Sequence, residues 1–277
     1  QTRQIALNLG VVGLMNIQYA VYKDDIYMIE VNPRASRTVP FVSKATGIPM
    51  AKVATRVMYQ GDLREALKFY DKFDVTYEDN GILKAKIKDH ISVKEAVFPF
   101  NKLTGADTIL GPEMKSTGEV MGISGSFANS FAKSQIAAGN MLPKSGTVFL
   151  SLTDADKIFI KKLGESFMEI GFHIVATSGT HKALVEAGIE AEFVYKISEG
   201  RPNIEDKLKN KDVALVINTS DNKSSKDDAK KIRQSVLRLN IPYFTTVSEA
   251  FVAAEAIKSI QKGDALEPKS LQEYLQG

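Results

Sequence analysis

Apolar and polar residues alternate from 14 to 22 and again from 26 to 31. A period of two marks half-buried strands, so these runs predict an antiparallel pair joined at Lys23-Asp24-Asp25. Residues 1–10 read as the end of a helix, with Ile5, Leu7 and Leu9 ahead of Gly10. A short helix is expected over 40–46, stopped by Gly47. A longer one is expected over 49–60, with Pro49 near its start and Gly61 just past its end. The stretch 81–103 is strand-like and 127–138 is helical. Gly139-Asn140-Met141-Leu142-Pro143-Lys144-Ser145-Gly146 then concentrates breakers and predicts a domain boundary.

Beyond that segment the rhythm changes. Short apolar runs at 147–152, 173–176, 192–195, 213–218 and 243–246 alternate with helical patterns such as 157–170, 181–187 and 226–239. Apolar strands alternating with helices predict a parallel sheet covered on both faces. The expectation is an α/β chain with two domains, 1–139 and 140–277.

Composition changes this picture little. A chain of 277 residues can bury a real core and has room for two domains. Net charge is +3, with basic and acidic residues interleaved, so no nucleic-acid stripe stands out. The charged run 221–231 reads as a solvated loop and helix start. Without cysteine there are no disulfides and no thiolate zinc site. No apolar run reaches spanning length and no leader opens the chain, so a cytoplasmic setting without membrane contact is expected. The chain opens Gln1-Thr2-Arg3 with no methionine, and is expected to be part of something longer.

Two constellations could carry chemistry. In the predicted strand pair, a three-residue loop would put Gln18 opposite Glu30 and Asn16 opposite Asn32 on one face. Glu30 and Asn32, two apart on a strand, point the same way. A carboxylate and amide oxygens beside Arg34 and Arg37 suit a hard cation that also holds phosphate oxygens. The arginines could brace a transferring phosphoryl group. The competing reading is a surface hairpin with incidental polar residues.

The second constellation gathers at the ends of the later strands. Ile174-Val175-Ala176 runs into Thr177-Ser178-Gly179-Thr180, a hydroxyl-rich turn opening a helix, where backbone amides can cradle an anion. Lys157, Lys196, Asn218-Thr219-Ser220, Thr245 and Thr246 follow other strands of the same set. Ligands of open parallel sheets sit at these ends, so a phosphate-bearing small molecule is expected. The competing reading is ordinary helix capping by Thr and Ser. His90, His173 and His181 show neither ligand spacing nor a nucleophile partner.

The runs GLMNIQYAV, YMIEVNPRASRTVPFVSKATGIPMAKVATRVM, VKEAVFPFNKLTGADTILGPEMKSTGEVMG, ATSGT, VYKISEGRPNIEDKLKN and VINTSD carry a resemblance. Over essentially its whole length the chain resembles the C-terminal part of the large chain of carbamoyl-phosphate synthases. The resemblance implies the C-terminal portion of an ATP-grasp domain over 1–139, from the unit that phosphorylates carbamate with ATP. It implies a Rossmann-like, methylglyoxal-synthase-like regulatory domain over 140–277.

On that resemblance Gln18, Glu30 and Asn32 match ligands of Mg or Mn, and Arg34 and Arg37 match phosphate-side catalytic arginines. Lys157, Thr177, Thr180, Lys196 and Asn218 match positions that hold an effector's phosphate and ribose, and Thr246 a base-side position. Glu95 and Thr245 match an ornithine site reported for some members. Ser220 stands in place of Thr, and Ser178 where some members carry His. Effector identity therefore stays open among UMP, IMP and phosphoribosyl pyrophosphate, with UMP leading. The resemblance also implies a glutaminase small chain and the N-terminal remainder of the large chain as partners, and a place in pyrimidine and arginine biosynthesis. It puts the nucleotide-covering loop upstream of residue 1, so this chain alone is expected not to make carbamoyl phosphate. The segment 139–146 and a Glu95–Thr245 pairing are expected to link the domains.

Two other readings compete. One is a stand-alone effector-binding module. The other is a methylglyoxal-synthase-type lyase, which needs a glycine-rich loop after the Asn218 strand; residues 218–225 contain no glycine. A biotin-carboxylase-type ligase would share Glu-x-Asn but would not end in this parallel-sheet domain.

Overall fold

The structure, a computed structural model, describes residues 1–70, 75–77, 82–85, 89–97, 118–219, 226–263 and 266–276. Parts of the strand-like stretch (81, 86–88 and 98–103), Ser220 and residues 221–225 of the charged run lie outside the described residues. The chain forms two compact units, one of residues 1–90 and 269–277, the other of residues 91–268.

In the first unit α1 (Thr2–Asn8) precedes a hairpin of β1 (Asn16–Tyr22) and β2 (Asp25–Asn32). Then come α2 (Thr38–Thr46), α3 (Met50–Gln60) and α4 (Leu63–Leu67). Helices α2 and α3 each end on a left-handed glycine, Gly47 at φ 75° and Gly61 at φ 77°, a conformation that costs glycine nothing. Asp62 caps α4 by accepting from the Arg64 and Glu65 amides. A small pair, β3 (Val75–Tyr77) with β4 (Leu83–Ala85), and the C-terminal α11 (Leu271–Gln276) also belong here. His90 is buried in this unit, its Nε2 2.8 Å from the Ala45 carbonyl oxygen and its ring 6.1 Å from that of Tyr274.

The second unit opens with an antiparallel pair, β5 (Ile91–Val97) and β6 (Gly118–Ser124), followed by α5 (Phe127–Ala137). Five parallel strands come next: β7 (Gly146–Ser151), β8 (Phe172–Ala176), β9 (Glu192–Phe193), β10 (Leu215–Asn218) and β11 (Tyr243–Phe244). Between them run a 3-10 turn (Asp156–Phe159) leading into α6 (Ile160–Glu169), then α7 (Ser178–Glu186), α8 (Ile204–Lys209) and α9 (Lys226–Leu239). Helix α10 (Val247–Gln261) follows β11.

Strand alternation divides the core into two layers. Val148, Leu150, Ile174, Ala176, Leu215 and Ile217 face a cluster that includes the buried faces of α5, α6 and α10. Phe149, Val175 and Val216 face the opposite way, onto Ile204 and Leu208 of α8 and Ile232 and Val236 of α9. Helix α6 shows how periodicity builds this: Ile160, Leu163, Gly164 and Phe167 recur at helical spacing and are all buried.

Strand order is β11-β10-β7-β8-β9. The chain builds outward from β7 to β9 and then returns to the other side of β7. The reversal between β7 and β10 leaves a crevice at the carboxyl ends of the two strands.

Packing is continuous across the breaker-rich segment. The segment 139–146 links α5 to β7 inside the second unit, which starts at Ile91. The reason is α5. Its Phe131 and Ala132 are buried in the same cluster as Ala253, Ala254 and Ile257 of α10, and the small residues let the two helices close up. Breakers report a turn in the chain; burial decides which elements pack together.

Candidate functional site

The hairpin brings Gln18, Glu30 and Asn32 together, by a route other than the expected one. Asn16 pairs with Asn32 and Gln18 with Glu30, as the polar patch requires. The connection, however, is a tight turn of Lys23 and Asp24 between paired Tyr22 and Asp25, with Lys23 at φ 55°. That turn alone would pair Gln18 with Ile29. A bulge at Ile29, where Tyr19 pairs with Met28 and Gln18 with Glu30, restores the register. An extra residue on one strand turns the following side chains back to the needed face.

Polar contacts within this patch are local. The Asn32 Nδ2 donates to Glu30 Oε1 at 2.8 Å, and Arg34 Nη2 donates to Asn32 Oδ1 at 3.2 Å. Arg34 Nη1 reaches the Ala35 carbonyl at 3.0 Å. Arg37 is exposed at the start of α2, where the helix dipole also favours an anion. Among the described residues no three His, Cys, Asp or Glu side chains converge on a cation. A metal here would therefore rest on one carboxylate and two amide oxygens. Hard cations that keep water and phosphate in their remaining positions fit that donor set.

At the crevice of the parallel sheet the expected effector residues meet. Lys157, Thr177, Thr180, Lys196 and Asn218 line one cleft of about 200 Å³, together with Ser151, Thr153, Asp154, Gly179, Thr219 and Asp228. Thr177, Thr180, Asn218 and Thr219 are all buried. Two of them brace the loop after β7: the Leu152 amide donates to Thr180 Oγ1 and the Thr153 amide to Thr219 Oγ1, both at 2.9 Å.

Thr177 occupies the cap position of α7, yet its side chain caps nothing; its hydroxyl lies 3.3 Å from that of Ser151. The first amides of α7 thus open toward the cleft without side-chain competition. Asn218 Nδ2 is buried there with no hydrogen-bond partner among the described residues, and such a donor is costly unless a ligand accepts from it. The Lys157 ammonium lies over Gly179; a Cβ on that glycine would come within 3.2 Å of its Nζ.

A second cleft joins the first through Thr153 and Thr219. It is lined by Phe159, Thr245, Thr246, Ser248 and Phe251. Thr246 differs from Thr177 in being a working cap: its hydroxyl accepts from the Glu249 amide and lies 3.0 Å from Glu249 Oε2. Capping explains this threonine's place without a ligand.

Glu95 and Thr245 lie in one compact unit and are linked through α10. The Thr245 amide donates to Glu249 Oε2 at 3.4 Å. Gln135 Nε2 donates to Glu95 Oε2 at 2.9 Å. Burial and the negative charge of Glu249 raise the Glu95 carboxyl above its ordinary range, against the opposing pull of Gln135. A raised carboxyl favours the protonated native state, so its contribution to stability is greatest at acid pH and is lost as pH rises through the raised value. Glu95→Gln is therefore expected to raise the melting temperature at pH 7 by about 2 °C and to flatten the pH dependence just above the ordinary carboxylate range. Thermal melts from pH 4 to 8 would check this.

Strand-end reasoning overlooked Ser151, Thr153, Asp154 and Asp228. Ser151 ends β7, and Thr153 and Asp154 come just after it, so that rule applied to β7 would have reached them. Asp228 comes from α9 and carries no such signal.

Sequence comparisons agree with the two architectures. A family model described as carbamoyl-phosphate synthase L chain, ATP binding domain, matches residues 1–66. A model described as MGS-like domain matches residues 160–245. The chain is 62% identical over 275 residues to the carbamoyl phosphate synthase large chain of Campylobacter jejuni, covering 99% of this chain and 25% of that one. It is 54% identical over 272 residues to that of Helicobacter pylori, covering 98% and 25%. It is 48% identical over 281 residues to the carbamoyl phosphate synthase large chain, C-terminal section, of Aquifex aeolicus, covering 99% and 52%. The fold thus joins the C-terminal part of an ATP-grasp domain to an MGS-like domain. The chain belongs, as a section, to the carbamoyl phosphate synthase large chains, and spans about a quarter of the length of the Campylobacter jejuni and Helicobacter pylori relatives.

Proposed function

We propose that the chain supplies two sites to a carbamoyl phosphate synthase large chain. One is the metal-holding edge of the ATP site that phosphorylates carbamate, and the other is a regulatory site for a nucleotide. The observation that carries the second is the cleft at the β7–β10 reversal. It gathers two lysines, an open helix start and a buried amide with no hydrogen-bond partner among the described residues. Phosphate suits the Lys157 and α7 side. Phe159 and Phe251 offer a base-sized apolar face in the adjoining cleft. UMP is the leading ligand, ahead of IMP and phosphoribosyl pyrophosphate.

At the hairpin Gln18, Glu30 and Asn32 would hold Mg or Mn, which neutralises phosphate oxygens of ATP when bound. Arg34 orients Asn32 through the bond at 3.2 Å, and Arg34 with Arg37 offers positive charge to a phosphoryl group. Glu95 and Glu249 suit an ammonium ligand such as ornithine, which would relieve their mutual repulsion. The product would feed pyrimidine and arginine synthesis, with ammonia supplied by a glutaminase small chain and with the N-terminal remainder of the large chain as a further partner. By linkage, effector bound at the α7 end would alter ATP affinity at the hairpin, and ATP would alter effector affinity equally. Among the described residues no helix is long and apolar enough to cross a membrane; a cytoplasmic setting fits that reading.

Calorimetric titration of the chain with UMP, IMP and phosphoribosyl pyrophosphate tests the regulatory site. One of them is expected to bind with one-to-one stoichiometry. Failure of all three would sink the effector reading.

A further inference from the structure

Asp154 and Lys157 make an unequal pair. Lys157 Nζ is 2.5 Å from Asp154 Oδ1, yet the lysine side chain is 26% exposed and the aspartate 95%. The ammonium is tucked over Gly179 at the start of α7, among buried hydroxyls. A half-sequestered cation benefits from a counter-charge. The carboxylate stands in water and loses little when its partner is withdrawn.

Both groups line the cleft, so a phosphate drawn to Lys157 and the α7 amides arrives beside Asp154. Two anions then compete for one ammonium, and the exposed carboxylate is the one water can take over. Asp228, the other carboxylate lining the cleft, is engaged differently: the Ser198 amide and hydroxyl both donate to its Oδ2. Among the described residues Asp154 is held by Lys157 alone, and that contact keeps its carboxyl below the ordinary aspartate range.

We propose that Asp154 is a built-in counter-ion for Lys157 that an incoming phosphate group displaces, and that this exchange sets the affinity of the cleft for phosphate-bearing ligands. The proposal rests on the phosphate reading of the cleft given above. It makes Asp154 a positioning residue: it holds Lys157 in place over the helix start while no ligand is bound, and its charge opposes the ligand that replaces it.

The test is calorimetric titration of the full chain with UMP and with inorganic phosphate, at low and high salt. Asp154→Asn is expected to bind both probes about three- to fivefold more tightly than the unaltered chain. The gain should shrink at high salt, because the carboxylate is exposed. Asp154→Glu, which keeps the charge, is expected to stay within about twofold of the unaltered chain. Structural damage would weaken binding, so a gain separates the two causes. Equal or weaker binding by Asp154→Asn, while the unaltered chain binds and Lys157→Ala is impaired, would overturn the counter-ion role and leave the phosphate site standing. No binding of either probe by the unaltered chain, or binding indifferent to Lys157→Ala, would overturn the phosphate reading and this proposal together.

Discussion

Gly122→Ala is expected to cost about 3 kcal/mol of stability, a large share of the roughly 5–15 kcal/mol that holds a domain together. A Cβ at this position of β6 would fall 1.8 Å from the Ser130 carbonyl oxygen and 2.6 Å from the Ser134 amide nitrogen. Both are backbone atoms of α5, so no rotamer change can relieve the overlap. The helix or the strand must move. The helix is held from both sides: Ser130 Oγ donates to the Ile91 carbonyl of β5 at 2.7 Å, while Phe131 and Ala132 are buried with α10. Displacing α5 would therefore disturb the core of the parallel sheet as well as the β5–β6 pair. Urea or thermal melts of the two chains would measure it, and a loss under about 1 kcal/mol would mean that α5 can slide aside cheaply.

Lys157→Ala is expected to weaken UMP binding about thirtyfold, the equivalent of roughly 2 kcal/mol for a lost charge-assisted contact. Its melting temperature is expected to stay near that of the unaltered chain, since the only ion pair described for Lys157 is the one with exposed Asp154. Titration calorimetry beside a thermal melt separates the two effects. Undiminished UMP affinity would place the phosphate elsewhere than the α7 end of the cleft.

How far the sequence reached depends on whether a signal is local. Val148 to Leu150, Ile174 to Ala176 and Leu215 to Ile217 are fully apolar because the sheet is covered on both faces, and such runs are readable without coordinates. The left-handed stops at Gly47 and Gly61 were equally legible. Strand β6 was not, because its two glycines mask the strand pattern; Gly122 is there to let α5 approach. Helix α10 was not, because it buries small residues over much of its length, including Ala250, Ala253, Ala254 and Ala256. With alanines filling so many positions and only a few charges opposite them, its amphipathic period has little contrast.

The hairpin shows the same division at the scale of one residue. Its alternation dictated two strands, and Glu30 and Asn32 were bound to share a face. The loop length inferred to align Gln18 was wrong, and the alignment held because a bulge at Ile29 compensates for the tighter turn at Lys23 and Asp24. A turn and a bulge both shift register by whole residues, so sequence spacing constrains their sum and not each separately.

By itself, then, the sequence determined which residues are chemically suited to a cation and to a phosphate, because side-chain type and short-range periodicity are properties of the chain. Its short apolar runs at β7, β8 and β10, alternating with helical patterns, also pointed to a parallel sheet covered on both faces. Tertiary structure alone decided that β7 and β10 lie side by side, so that Lys157, Thr177 and Asn218 line one cleft. It decided that Thr246 is occupied as a cap while Thr177 is not. And it put Glu95 within the field of Glu249. These are contacts between groups far apart in sequence, fixed by how layers pack, and no local pattern encodes them.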